Sequence, residues 1–504
     1  MAAPDPASPR PSAGWERVRP AALAVSFGLL LLVGLAAPSA ARPGLGPRGW
    51  APGDLPLHLS SAAVTAALWV AYLLGGLAVL AGLAGTHRGA GRLPDGGSWF
   101  ALRRWGWPLA LAALALLTSP FGSADHTNYA AYGRISAQGG DPYVVPPVTW
   151  HGGTDPVTRA VEPPWTLTPS IYGPFATLVQ TLTSLVGGDN LRQTVWAGQV
   201  VVVLAWLAVR WLLLRAAPGP AGQRRVDVLW TANPLVFGVA VLGAHLDLLA
   251  TALVLAAILL ADRRPGAAGL LLGAALSTKV TYGVAGLAIL WSWRALERRE
   301  ALRRAAVLVA GAVVVALPLH LWAGPHVFEQ LQRSRRSVSL ATPWRPVVEL
   351  LTGPLAGAMV RNLVFAAAVL VMVALAVLLA RVAGAAPATA TGSALRATFV
   401  LTTAYTLAAP YSLPWYDVLT MATLAALAAT PLDALLTARW VVVTLAYVPG
   451  RVVAMSAGVE AFTLGVRRSV APYAGWLAWA VVAWLAWRAW SRRRTGSRPA
   501  ASAR

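Results

Sequence analysis

The 504 residues include no cysteine. Disulfides, thiol nucleophiles and cysteine-based metal sites are excluded with it. Charge is scarce too: 12% of residues are charged, against about 25% in an average soluble protein. Acids are the scarcer sign, with 19 Asp and Glu against 41 Lys and Arg. Familiar catalytic signatures are missing. There is no GxxxxGK(S/T) phosphate loop, no Asp-x-Asp pair for a metal-bound nucleotide sugar, no HExxH zinc helix and no GxSxG nucleophile elbow. No metal site is expected. The basic residues form no stripe interleaved with stacking aromatics, so nucleic acid is not an expected partner.

What is abundant is apolar. Hydrophobic residues make up 57% of the chain, and they fall in long runs. Such runs with few charges mean a polytopic membrane protein. Inside a bilayer the backbone must satisfy itself, so the expected fold class is all-α: a polytopic transmembrane helical bundle of about thirteen to fourteen spans with long outer loops. Residues 1–20 read as a cytoplasmic tail, 21–490 as one transmembrane domain and 491–504 as a second cytoplasmic tail. Pro38-Ser39-Ala40-Ala41 resembles a signal-peptidase site, but a polytopic protein needs no cleaved signal, and Ala21–Ala37 reads as an uncleaved first span.

The net charge of +22 sits mainly at the ends of apolar runs, the pattern of positive-inside topology in the plasma membrane. Spans at Ala21–Ala37, Ser61–Gly85 and Trp105–Pro120 are separated by a basic loop with Arg88, Arg92, Arg103 and Arg104. That loop belongs inside, which puts residues 121–174 outside. A second outer loop covers 323–360; its Arg333, Arg335, Arg336 and Arg345 break the positive-inside rule and need a reason. Phe175–Gly187 is short and polar enough to lie along the interface or re-enter. Two hairpins follow, Val226–Ala261 and Gly266–Trp293, with arms too short for full spans. Their outer tips hold His245 with Asp247, and Lys279; Tyr411, Trp415, Tyr416 and Asp417 mark a third tip.

The 121–174 stretch stands apart. It reads as a long packed loop without regular structure. It holds Asp125, Arg134, Asp141, Asp155 and Glu162, together with aromatics such as Tyr129, Tyr143 and Tyr172. A loop of this length is usually functional or disordered, and its aromatic content favours the former. Ionisable groups at membrane depth are costly and usually face a cavity.

These residues fall into ordered motifs. Asp125-His-Thr-Asn-Tyr129-Ala-Ala-Tyr-Gly133 is followed by Gly140-Asp141-Pro142-Tyr143 and by Pro169-Ser170-Ile-Tyr172-Gly173-Pro174. Asn233-Pro234-Leu235, Gly243-Ala-His245-Leu-Asp247, Lys279-x-Thr281 and Pro414-Trp415-Tyr416 come after them. The series resembles the polyprenol-phosphomannose-dependent α-1,6-mannosyltransferases of mycolic-acid-bearing actinobacteria, a family of GT-C membrane glycosyltransferases. Two positions depart from that family's pattern: Thr127 stands where an aromatic is common, and Leu246 separates His245 from Asp247.

The resemblance implies transfer of mannose from a polyprenyl-phosphate donor to a glycan or glycolipid acceptor, with inversion and without a further cofactor. The donor, the acceptor and membrane lipids are then the partners. Such a transfer needs a base for the acceptor hydroxyl and positive charge for the departing phosphate. Asp125 is the expected base, with Asp155 and Glu162 as rivals. Lys279, Arg134 and Arg335 are the expected phosphate ligands. Tyr129, Asp141, Tyr143, Tyr172, His245, Asp247, Trp415 and Tyr416 are the expected substrate contacts. Competing readings are a secondary transporter, against which the lack of matching repeats with broken helices counts, and a non-catalytic envelope-assembly protein.

The topology is directly testable, because the chain has no native thiol. Thr149→Cys should react with an impermeant maleimide in intact cells, and Gly89→Cys only after the membrane is opened. The reverse pattern would invert the orientation.

Overall fold

A computed structural model describes residues 13–87, 98–217, 219–334 and 337–496. Among these the chain is entirely helical apart from turns and loops; one isolated bridge pairs Ser39 with Arg42. The first half runs α1 (Ala13–Leu35), α2 (Ser61–His87), α3 (Ser98–Leu117), α4 (Asp125–Ala137), α5 (Pro174–Gly187), α6 (Leu191–Ala216), α7 (Pro220–Val226), α8 (Asp247–Leu260), α9 (Pro265–Thr278) and α10 (Val284–Ser292). The second half comprises α11 (Arg298–Ala323), α12 (His326–Ser334), α13 (Trp344–Leu351), α14 (Gly357–Val382), α15 (Ala390–Ala408), α16 (Val418–Ala425), α17 (Leu432–Leu445), α18 (Ala457–Ser469) and α19 (Ala471–Gly496).

Six stretches are long and apolar enough to cross a bilayer, within Val18–Leu35, Ser61–Ala84, Leu191–Ala216, Arg298–Ala323, Gly357–Val382 and Ala457–Arg492. The protein is an integral membrane protein. Four further apolar helices among the described residues, Trp105–Leu117, Asp247–Leu260, Pro265–Thr278 and Val280–Ser292, are 10 to 17 residues long. The two expected hairpins form from such helices. Their tips fall at 242–246 and 279–283, and His245 and Asp247 at the first tip are buried.

One hairpin arm is irregular for a legible reason. Pro234 removes a backbone donor and breaks the helix. The Asn233 side chain repairs the break, donating to Leu229 O at 2.9 Å and accepting from Leu235 N at 3.0 Å. Wide π turns flank it at Asp227–Thr231 and Val236–Val241. The arm thereby ends with its C-terminal turn aimed at the site.

The 121–174 stretch corrects the expectation of a structureless loop. It opens with the 13-residue α4, in which ten residues are buried. Burial on nearly all sides gives α4 no apolar stripe, so periodicity could not reveal it. Gly133 explains how it sits: a Cβ there would lie 2.1 Å from Gln180 O of α5. The rest of the stretch makes short 3-10 turns at Pro147–Gly153 and Thr158–Ala160.

Charged pairs pin the frame. Asp54 takes Arg42 at 2.6 Å and Arg192 at 2.8 Å, tying the 36–58 connection to α6. Glu162 pairs with Arg451. Arg225–Asp433 at 2.7 Å and Arg439–Asp417 at 2.6 Å join elements distant in sequence. Breaking such a pair strands a buried charge.

Gly133→Val should separate α4 from α5. We expect a loss of about 2–3 kcal/mol from overpacking, read as a lower melting temperature in detergent. Unchanged melting would show that the two helices yield freely.

Candidate active site

Five chain segments converge on one recess. The N-terminus of α4 brings Asp125 and Tyr129. The 242–246 turn and the start of α8 bring His245 and Asp247. The 279–283 turn brings Lys279 and Tyr282, and Pro414–Asp417 closes the recess with Trp415 and Tyr416. Tyr172 reaches in from the end of the 121–174 stretch.

The geometry begins at Asp247. Its Oδ1 accepts from Lys279 Nζ at 2.8 Å and from Tyr282 Oη at 3.0 Å. Lys279 Nζ also lies 3.4 Å from the centre of the Tyr416 ring, a cation–π contact. Only one ammonium N–H is spent on Asp247, so a donor remains for a ligand oxygen. The His245 ring stacks on Trp415 at 3.8 Å between centroids and 13° between planes. Its Nδ1 lies 3.3 Å from Tyr129 Oη and 3.8 Å from Asp125 Oδ2. Tyr172 Oη in turn donates to Tyr129 Oη at 3.2 Å. Burial and nearby Lys279 both hold the His245 pKa well below the ordinary value, so the ring is neutral, and its tautomer sets which of Nδ1 and Tyr129 Oη donates.

Local backbone serves this arrangement. Ala244 has φ of 55°, a left-handed conformation that costs a non-glycine residue energy. A Cβ on Gly243 would lie 2.2 Å from Val239 O and 2.7 Å from His245 Cδ2. Glycine there lets the imidazole fold back over its own turn.

Asp125 is the odd acid. Five acids are buried among the described residues: Asp125, Asp155, Asp247, Asp417 and Asp433. Four of them hold an Arg or Lys within 4.0 Å. Asp125 holds none; its nearest ionisable partner is the neutral His245. Burial, with the negative charge of Asp247 adding, pushes its carboxyl up to about 7, while Lys279 pulls the other way. A carboxyl so placed is half ionised near neutrality, as a general base requires.

Other expected site residues lie elsewhere. Arg134 is not beside Lys279. Its Nε donates to Asp155 at 2.9 Å and its other arm pairs with Asp189. That bonding makes it a brace for its own loop. Asp155 also accepts from Val157 N and Thr158 N, both at 2.9 Å. Asp155 and Glu162, the rival bases, are each paired with an arginine, Arg134 and Arg451. Asp141 pairs with His326 at 2.9 Å and caps Tyr143 N at 2.8 Å, and Tyr143 Oη meets Thr177 Oγ1 at 2.7 Å. These two residues shape the loop and touch none of the cluster's side chains through those bonds. Arg335 lies outside the described residues. Tyr282 joins the cluster through Asp247 and was not among the expected residues; its spacing of three from Lys279 across a turn was the available signal.

The family model for the alpha-(1->6)-mannopyranosyltransferase N-terminal domain matches residues 22–295. The chain is 33% identical over 209 residues to alpha-(1->6)-mannopyranosyltransferase A of Mycobacterium tuberculosis, covering 40% of this chain and 39% of that one. It is 28% identical over 137 residues to alpha-(1->6)-mannopyranosyltransferase B of Corynebacterium glutamicum, covering 27% and 23%. The matched region thus spans about two fifths or less of these relatives. Among solved structures, ArnT from Cupriavidus metallidurans bound to undecaprenyl phosphate is similar over 80% of this chain and 79% of its own, with 16% identity and a TM-score of 0.38. The matched region holds α4, both hairpins and every recess residue except Trp415 and Tyr416, and on that match the chain belongs to the alpha-(1->6)-mannopyranosyltransferase family.

Proposed function

We propose that the chain is a GT-C-type mannosyltransferase of the plasma membrane. It moves mannose from a polyprenyl-phosphate donor to a hydroxyl of a glycan or glycolipid, forming an α-1,6 linkage on the outer face. The observation that carries this reading is Asp125: the one buried acid among the described residues without a cationic partner, set beside an ammonium that has a donor to spare.

The reaction follows from that pair. The acceptor hydroxyl gives its proton to Asp125 as its oxygen attacks the anomeric carbon. The bond from that carbon to the phosphate oxygen breaks on the opposite side, so a β-linked donor yields an α-linked product. The departing lipid phosphate gains charge, and Lys279 meets it with its remaining N–H. Asp247 and Tyr282 keep the ammonium in position, and a rigid ammonium stabilises the leaving group better than a mobile one. His245, Tyr129 and Tyr172 form a neutral hydrogen-bonded chain that holds the recess open against Trp415. No cofactor enters the scheme.

Membranes carrying the chain, given polyprenyl-phosphate [14C]mannose, should pass label to a glycan or glycolipid. Asp125→Asn keeps the shape and removes the basicity; turnover should fall by about two or more orders of magnitude, with insertion unchanged. In the native protein kcat/KM should rise with pH through about 7 and then level, because the active carboxyl is the deprotonated one. A flat profile and an active Asp125→Asn protein would remove Asp125 from the chemistry.

Lys279→Met should weaken donor use by about 2–3 kcal/mol, the range for a charge-assisted contact. It should also move the acid limb of the profile to higher pH, since Lys279 is the group that lowers the Asp125 pKa. Arg134→Gln should lower thermal stability and leave donor affinity alone. Equal donor affinity in Lys279→Met would make Lys279 a mere anchor for Asp247.

A further inference from the structure

A groove at the other end of the bundle is left over by this function. It lies between α1 and α3, is floored by the 227–232 segment, and has a volume of about 520 Å³. Its length is apolar, with Leu23 and Phe27 on α1 and Trp107, Leu111 and Leu114 on α3. Its mouth is charged, with Arg19 and Asp227. From Arg19 to Phe27 it runs about 12 Å at 1.5 Å per residue. The opposite end of α1 lies beside the active site: Gly34 O accepts from Ser119 N at 2.9 Å, six residues before Asp125. Arg19 and Gly34 are about 22 Å apart along the helix, so the mouth sits near the far membrane surface.

The charges at the mouth do not balance. Asp227 is bonded by Arg210. Arg19 has no carboxylate within 4.0 Å among the described residues. Its Nε donates to Ala78 O at 3.2 Å, and its two amino groups make no hydrogen bond among the described residues. Arg224 adds a second positive charge near it. The guanidinium is also given room: a Cβ on Gly82 would lie 2.9 Å from Arg19 Nε. Trp107 at the groove edge is half-exposed, as suits the headgroup level.

We propose that this groove holds an anionic phospholipid of the leaflet away from Asp125, with one acyl chain along Leu23, Phe27, Leu111 and Leu114 and its phosphate on the Arg19 amino groups. A planar guanidinium with two unspent N–H2 arms matches phosphate oxygens bidentately. A zwitterionic lipid would bring its own cation to a mouth that is already positive. A phosphatidylglycerol-type headgroup does not.

Native mass spectrometry of the full-length protein from nanodiscs of equal phosphatidylcholine and phosphatidylglycerol tests this. The native protein should retain phosphatidylglycerol about fivefold over phosphatidylcholine, the preference expected of one well-placed arginine near anionic lipid. Arg19→Gln should abolish the preference, Arg19→Lys should keep part of it, and Leu111→Trp, which fills the groove, should reduce retention of both lipids. Melting temperature should rise with phosphatidylglycerol in the native protein and not in Arg19→Gln. No preference in the native protein, an undiminished one in Arg19→Gln, or displacement of phosphatidylglycerol by added polyprenyl phosphate would each overturn the proposal. Lipid retention involves no transfer reaction, so it succeeds or fails independently of the enzymatic role.

Discussion

The ion pair between Asp247 and Lys279 is what the rest of the recess depends on. Each charge stands at the tip of a different hairpin, and each would be costly to bury alone. Together they tie the two tips to one another through a contact of 2.8 Å between Lys279 Nζ and Asp247 Oδ1. Tyr282 braces the carboxylate from below and Tyr416 covers the ammonium from above. Once the tips are joined, the His245 turn has one place to go, stacked on Trp415 and reaching Tyr129. Asp125 is then held between a carboxylate that repels its charge and an ammonium that attracts it. Burial is the main reason its carboxyl is pushed up to about 7, and the two flanking charges adjust it in opposite directions.

Most of this recess was legible from residue type and position. Polar groups at the ends of short apolar arms are conspicuous, because a bilayer tolerates them only with a purpose. Asp125, His245, Asp247, Lys279, Trp415 and Tyr416 were all found that way, and the structure brings them together. The all-helical class was equally plain. The form of the 121–174 stretch was not. α4 is buried on nearly every side, and a helix with no solvent face leaves no periodic trace. Helix lengths were hidden for a related reason: hydropathy reports how apolar a segment is and says little about where turns such as 242–246 cut it short.

The misplaced residues share a cause. Arg134, Asp141, Asp155 and Glu162 lie in the same polar stretch as Asp125, and composition cannot separate groups that build a loop from groups that act in it. Their partners separate them. Arg134 is spent on Asp155 and Asp189, Glu162 on Arg451, and Asp141 on His326. Those partners lie between 21 and 289 residues away, a pairing that only the folded chain defines.

That difference in partnership also bears on how the fold and the chemistry divide the scarce acids. A buried carboxylate with its own arginine has its negative charge already met and serves to hold elements together. Arg225–Asp433 and Arg439–Asp417 are of this kind, and they lock α7 to α17 and α17 to the turn that carries Trp415. Lys279–Asp247 is half of this kind: the pair is joined, but the ammonium keeps a donor in hand. Asp125 is the extreme. It has burial without a cation within 4.0 Å, which destabilises its ionised form and raises its affinity for a proton, the property on which its proposed role as a base rests. The arginine pairs supply the rigidity that such a group requires, since a mobile Asp125 would swing to water and return to an ordinary pKa.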